Sequence, residues 1–117
     1  MNTLIWYPRC STCKNAKRYL DERNVKYNLR DIKEDRLSVK ELEEIINLSK
    51  KDIKCFFNTS GLVYKKLRLK DKLPNMTSDE KTKLLASDGM LVKRPIFIYD
   101  NNVLIGFKKD NWEEIIK

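Results

Sequence analysis

The sequence predicts a mixed α/β fold in which a βαβ unit and a ββα unit flank a run of helices. Three observations predict it. A short apolar run, residues 3–7, is followed by an amphipathic stretch and then by an alternating run, residues 25–29. Two capping signatures, at Ser38 and Thr77, mark helices in the middle of the chain. Further on, two apolar runs enclose Asp100-Asn101-Asn102, a hairpin signal because Asn tolerates the positive φ of tight turns.

Each element follows in order. Residues 3–7 read as a buried strand ended by Pro8. Residues 12–23 read as a helix. Cys13, Ala16 and Leu20 recur at spacings of three and four, and Lys14, Lys17, Arg18, Asp21 and Glu22 fall outside that face. Asn24 is the expected left-handed terminator. Residues 25–29 alternate as a half-buried strand does. Strand, helix and strand this close make a βαβ unit with parallel strands. Ser38 and Glu41 form a capping box before Leu42, Ile45 and Ile46, and Leu37 with Leu42 makes a hydrophobic staple. Short helices are expected at 52–57 and 62–69, around Asn58-Thr59-Ser60-Gly61, and Pro74 breaks the chain. Thr77 and Glu80 cap a helix running to about Ser87, closed by Asp88-Gly89. Residues from about 34 to 90 are therefore expected to be helical, without a strand. Pro95 opens a strand over 96–99, and residues 103–107 return beside it. Asp110 is the expected cap of a last helix whose apolar face is Trp112, Ile115 and Ile116. No repeat, low-complexity stretch or linker interrupts this order, so one domain over residues 1–117 is expected.

Composition narrows the chemistry. Hydrophobic residues make up 41% and charged residues 36%, too apolar for disorder and too polar for a membrane protein. No run approaches the roughly 18 apolar residues of a spanning helix. Met1 to Pro8 carry no basic leader or apolar h-region, so no signal peptide is expected. There are three cysteines and no histidine. Without histidine, Ser-His and Cys-His nucleophile pairs, histidine bases and histidine metal sites are excluded. Three cysteines do not complete a four-ligand structural zinc site, and no metal is expected. The odd count argues against a secreted disulfide scaffold and for a cytoplasmic, reducing setting. The 25 basic and 17 acidic residues give a net charge of +8. Residues 1–60 carry 13 basic and 9 acidic side chains and residues 61–117 carry 12 and 8, so no basic tail exists.

The main chemical signal is Arg9-Cys10-Ser11-Thr12-Cys13-Lys14, placed where the first strand hands over to the first helix. Free backbone N–H groups at a helix start stabilise negative charge, which favours a Cys10 thiolate, the nucleophilic form. Arg9 and Lys14 add positive charge nearby. Cys13, one turn on, could attack a mixed disulfide formed at Cys10, or could be a small buried residue. Cys55, among Ile53, Phe56 and Phe57, is expected in the core. Arg94 precedes Pro95 at a strand start, where proline is sterically allowed and can be cis. If that strand packs beside the first, Arg94 comes near Cys10, and its planar fork suits a carboxylate or tetrahedral oxyanion.

These residues carry a resemblance. Cys10-Ser11-Thr12-Cys13-Lys14, then residues 85–96 (Leu85 to Ile96, with Arg94-Pro95), then Ile105-Gly106-Phe107, resemble the ArsC/Spx family along essentially the whole chain. Residues 57–61 and 69–73 resemble its arsenate reductase-related subgroup. The resemblance implies a thioredoxin/glutaredoxin-like fold with an inserted helical subdomain, and Pro95 as a cis-proline wall facing the cysteine. It implies Cys10 as the catalytic nucleophile that attacks arsenate, with glutathione and glutaredoxin, or thioredoxin, as electron donor and no bound cofactor. Thr12, Lys14 and Arg94 become the substrate- or oxyanion-binding set, and Cys13 the resolving thiol of the pair. Three arginines cradle the oxyanion in the family's arsenate reductases. Arg94 matches one; Asn58 and Gly106 stand at the other two positions, which should weaken binding of a multiply charged anion. Those enzymes also often lack the second cysteine that Cys13 supplies here. The Spx branch shares Cys-x-x-Cys and Arg-Pro. It implies a redox-sensing transcriptional regulator whose partner is the RNA polymerase α subunit, with no direct nucleic-acid contact and no membrane.

Overall fold

The computed structural model describes residues 2–116; Met1 and Lys117, which close the expected 1–117 domain, lie outside the described residues. The chain divides into two compact units, one formed by residues up to Asp31 together with those from Arg94 onward, the other by Ile32–Lys93.

The first unit is a four-stranded mixed sheet with helices. Its elements are β1 (Thr3–Trp6), α1 (Ser11–Glu22), β2 (Asn28–Asp31), β3 (Ile96–Tyr99), β4 (Asn102–Ile105) and α6 (Lys109–Ile115). Strand order is β2-β1-β3-β4. β1 runs parallel to β2, pairing Thr3 with Asn28 and Trp6 with Asp31. β3 is antiparallel to β1, pairing Leu4 with Phe97, and to β4, pairing Phe97 with Leu104. The βαβ and ββα units of the sequence are thus one sheet, as a thioredoxin-like fold requires. Its core is Leu4, Ala16, Tyr19, Leu20, Phe97, Trp112 and Ile116. Phe97 stacks on Trp112 at 5.4 Å between centroids.

The returning hairpin strand runs Asn102–Ile105 rather than over 103–107, and two further boundaries moved for physical reasons. β2 starts at Asn28 rather than at Val25. Val25 N–H donates to Leu20 O at 3.1 Å and Asn24 N–H to Asp21 O at 3.1 Å, the paired bonds of a helix stop with Asn24 at φ 56°. Val25 spends its donor on the helix end, so the ladder begins only after it. The last helix is not capped by Asp110. Lys108 holds the cap position without a side-chain bond, and Asp110 sits in the first turn, where its charge still favours the helix dipole. The earlier start lets Trp112 Nε1 donate to Gly106 O at 3.1 Å.

The second unit is helical. It contains α2 (Val39–Ser49), α3 (Leu62–Lys66), α4 (Leu69–Lys72) and α5 (Ser78–Ser87), with 3₁₀ turns at Ile53–Phe56, Leu73–Asn75 and Gly89–Leu91. Both capping boxes form. Ser38 Oγ accepts from Glu41 N–H at 3.1 Å and Thr77 Oγ1 from Glu80 N–H at 3.1 Å, with each glutamate reaching back. Leu37 and Leu42 are both buried, as a staple demands. The expected helix over 62–69 splits in two at Arg68, which adopts φ 55°; no glycine marked that break. An isolated antiparallel bridge pairs Phe57 with Val92, and Asn58 N–H donates to Leu91 O at 2.7 Å. Cys55 is exposed, not core. In a 3₁₀ turn residues three apart share a face. Phe56 and the half-buried Ile53 take the inward face, and Cys55 is left outside.

Candidate active site at the start of α1

β1 ends at Trp6, and Tyr7-Pro8-Arg9 carries the chain to the helix. Cys10 N–H donates to Tyr7 O at 3.0 Å, closing that turn. Cys10 is then the N-cap of α1, with extended backbone (φ −93°, ψ 118°). An N-cap side chain ordinarily offers oxygen to the orphan donors of the first turn. Here the acceptor is sulfur: Cys13 N–H donates to Cys10 Sγ at 3.4 Å. A thiolate at this point meets a backbone donor and the positive end of the helix dipole. Cys10 is half-buried, and Arg9, Ser11, Thr12 and Lys14 beside it are exposed.

Cys13 is fully buried, on the helix face that also carries Ala16, Tyr19 and Leu20. Burial pushes its thiol up from 9.0 to about 12, against a backbone hydrogen bond with Tyr7. A thiol hydrogen bond to Cys10 and the charge of Cys10 push it up further, and Arg94 pulls it back. Cys13 therefore keeps its proton and offers it to Cys10 Sγ. The two thiols are free and adjacent, not bridged.

Arg94 reaches this cluster because β3 pairs with β1. Its guanidinium carbon lies 5.1 Å from the centroid of the Tyr7 ring. The Arg94–Pro95 peptide is cis. Pro95 is buried, and its carbonyl accepts from Gly106 N–H at 2.8 Å. The structure thus gathers Cys10, Cys13 and Arg94. Thr12 and Lys14 stand on the first turn of α1 facing solvent, and neither side chain bonds to the cluster among the described residues. Tyr7 is the residue that sequence reasoning missed. It holds Cys13 through its backbone and Arg94 through its ring. An aromatic residue before Pro8 reads as the end of a strand, so nothing in the sequence separated the two roles.

Neither of the two other family arginine positions holds a cation. Gly106 has φ 73° and both its backbone groups are engaged, with Pro95 and Trp112. Asn58 Nδ2 donates to Met90 O at 3.5 Å, and its Oδ1 accepts from the Ser60 hydroxyl at 3.2 Å.

The ArsC family pattern matches residues 5–115. The chain belongs to the ArsC family. Among its relatives, the uncharacterized protein YusI of Bacillus subtilis is 47% identical over 112 residues, covering 96% of this chain and 95% of that one. A crystal structure of an ArsC-family-related protein from Bacteroides fragilis superposes with a TM-score of 0.93 at 48% identity, covering 97% of this chain and 96% of that one. The global transcriptional regulator Spx 1 of Bacillus cereus is 26% identical over 110 residues, covering 94% of this chain and 82% of its own length. The match to the ArsC family and the B. fragilis structure make the thioredoxin-like sheet a family property.

Alkaline pH should expose the burial of Cys13. Tyr27 is also pushed up, by burial and then by its hydrogen bond to Asp21 at 2.6 Å. Both groups hold their protons more tightly folded than unfolded. Their contribution is therefore whole below pH about 9 and is lost as pH rises through the folded values. Denaturant midpoints under reducing conditions should fall between pH about 9 and 11, and less so in Cys13→Ala and Tyr27→Phe. Equal slopes in wild type and the double variant would remove both groups as the cause.

Proposed function

We propose that this ArsC-family protein is a thiol–disulfide oxidoreductase of the reducing cytoplasm, with Cys10 as nucleophile and Cys13 as resolving thiol. The observation that carries the reading is the pairing at the start of α1. Cys10 Sγ caps the helix and accepts from Cys13 N–H, while Cys13 stays protonated beside it.

Chemistry follows in two steps. The Cys10 thiolate attacks one sulfur of a disulfide R–S–S–R. A Cys10–S–S–R bond forms, and RS⁻ leaves. Cys13 then loses its proton to that leaving thiolate and attacks Cys10 Sγ. A Cys10–Cys13 disulfide forms and a second RS⁻ leaves. The substrate gains two electrons, and the protein loses them. Glutathione, glutaredoxin or thioredoxin returns them. Two of the influences holding the Cys13 proton, the hydrogen bond to Cys10 and the Cys10 charge, vanish once Cys10 is in the mixed disulfide. Cys13 becomes more acidic at the step that needs its thiolate.

A disulfide substrate suits the site better than arsenate. Of the three arginine positions of the family's arsenate reductases only Arg94 supplies a cation here, Gly106 and Asn58 supply none, and Arg9 and Lys14 beside Cys10 face solvent. An uncharged or singly charged disulfide needs no arginine cradle. The test is trapping. Cys13→Ser mixed with oxidised glutathione should accumulate a glutathione adduct on Cys10, seen as an intact-mass increase of one glutathionyl group and located by peptide mapping. Wild type should instead end as the Cys10–Cys13 disulfide. No adduct on the variant would overturn the reading.

The Spx relative favours a second reading, a redox-sensing regulator that binds the RNA polymerase α subunit, with Cys10–Cys13 as its switch. Pull-down with purified α subunit tests it. Absence of binding in both redox states would end it.

A further inference from the structure

We propose that the α3–α4 ridge of the helical unit docks an acidic protein segment that carries aliphatic side chains. The inference is separate from the redox site, and it starts from the net charge. Residues 32–93 hold 14 basic and 10 acidic side chains. Five of the basic ones, Lys65, Lys66, Arg68, Lys70 and Lys72, fall within eight residues that contain one acid, Asp71. The remainder of the unit balances nine against nine. Its whole excess of +4 therefore sits on this ridge. All five cations are exposed, and none makes an ion pair among the described residues.

Apolar groups share the surface. Leu62 is 86% exposed and Leu67 is 37% exposed. The ridge is nevertheless anchored from beneath. Leu69 and Leu73 are buried, and Tyr64 packs its ring 6.4 Å from that of Phe57. The left-handed Arg68 turns the chain sharply between the two helices. Outward leucines among unpaired cations therefore stand on a fixed support.

This mixture selects its partner. Single-stranded nucleic acid is held by aromatic side chains that stack on bases, and the only ring here, Tyr64, is turned to Phe57. A duplex read through phosphates gains nothing from an exposed leucine. A membrane surface needs a helix with a continuous apolar face, and α3 and α4 have five and four residues. An interface with an apolar centre and a charged rim fits an acidic protein segment.

A fluorescein-labelled peptide alternating glutamate and leucine is the probe, read by fluorescence anisotropy against full-length protein. A glutamate–serine peptide of equal charge should bind about tenfold more weakly, the loss expected for one leucine left unburied. Leu62→Ser should erase that difference, and since Leu62 is mostly exposed the far-UV spectrum should not change. The double charge reversal Lys65→Glu with Lys66→Glu should abolish binding of both peptides. Equal binding of the two peptides by wild type, no effect of Leu62→Ser, no binding of the glutamate–leucine peptide, or tighter binding of a DNA duplex would each overturn the proposal.

Discussion

Cys10→Ser is expected to lower the rate of disulfide reduction by about a thousandfold or more, the scale of losing a covalent nucleophile. Serine at this position keeps the helix cap, because its hydroxyl is a better N-cap acceptor than a thiol. The fold and the Arg94–Tyr7 contact should survive. Only the attacking group is lost, since a hydroxyl is not ionised at neutral pH and no histidine exists to activate it. Cys13→Ser separates the two roles. Its first attack stays intact, so one substrate equivalent is consumed quickly. Multiple turnover should then stall until glutathione is added in excess to resolve the adduct from outside. Stopped-flow kinetics with oxidised glutathione, with and without free glutathione, would show this split. Wild-type-like turnover by Cys10→Ser would remove Cys10 from the chemistry. Stalling by Cys10→Ser with rescue by glutathione would invert the assignment of the two cysteines.

The sheet was legible because its signals are local. The apolar run at β1, the helix face of Cys13, Ala16 and Leu20, and the Asp100–Asn102 turn each declare one element. The spacing of Cys10 and Cys13 announced a pair before any contact was known. Arg94 was legible only conditionally, because its approach depends on β3 lying beside β1, a pairing across most of the chain. Tyr7 was not legible. Its role comes from a backbone bond and a ring contact that residue type does not encode. Cys55 was misread because apolar neighbours in sequence are not neighbours in space on a 3₁₀ turn. The division of the 62–69 helix was hidden for the opposite reason. Arg68 takes a left-handed conformation that its type disfavours, so propensity pointed the wrong way.

Gly89→Ala is expected to destabilise the protein by about 3 kcal/mol or more, at the upper end of overpacking losses. A Cβ at Gly89 would overlap the carbonyl oxygen of Ile32 and stand 2.8 Å from its carbonyl carbon. The obstacle is backbone on both sides, so no side-chain rotation relieves it. Ile32 and Leu91 are buried to within 1% of complete, leaving no free space into which either strand of chain can shift. Gly89 also opens the 3₁₀ turn that leads to the Phe57–Val92 bridge, and its carbonyl accepts from Val92 N–H at 3.2 Å. Displacing it disturbs the clasp of the helical unit directly. Gly106→Ala makes the control. Its φ of 73° penalises any side chain by about 1–2 kcal/mol through the backbone alone. Urea denaturation of the two variants should therefore show a clearly larger loss of midpoint at Gly89 than at Gly106. Equal losses, or a near-neutral Gly89→Ala, would show that the Ile32 carbonyl is free to move and that close backbone approach is not what demands glycine there.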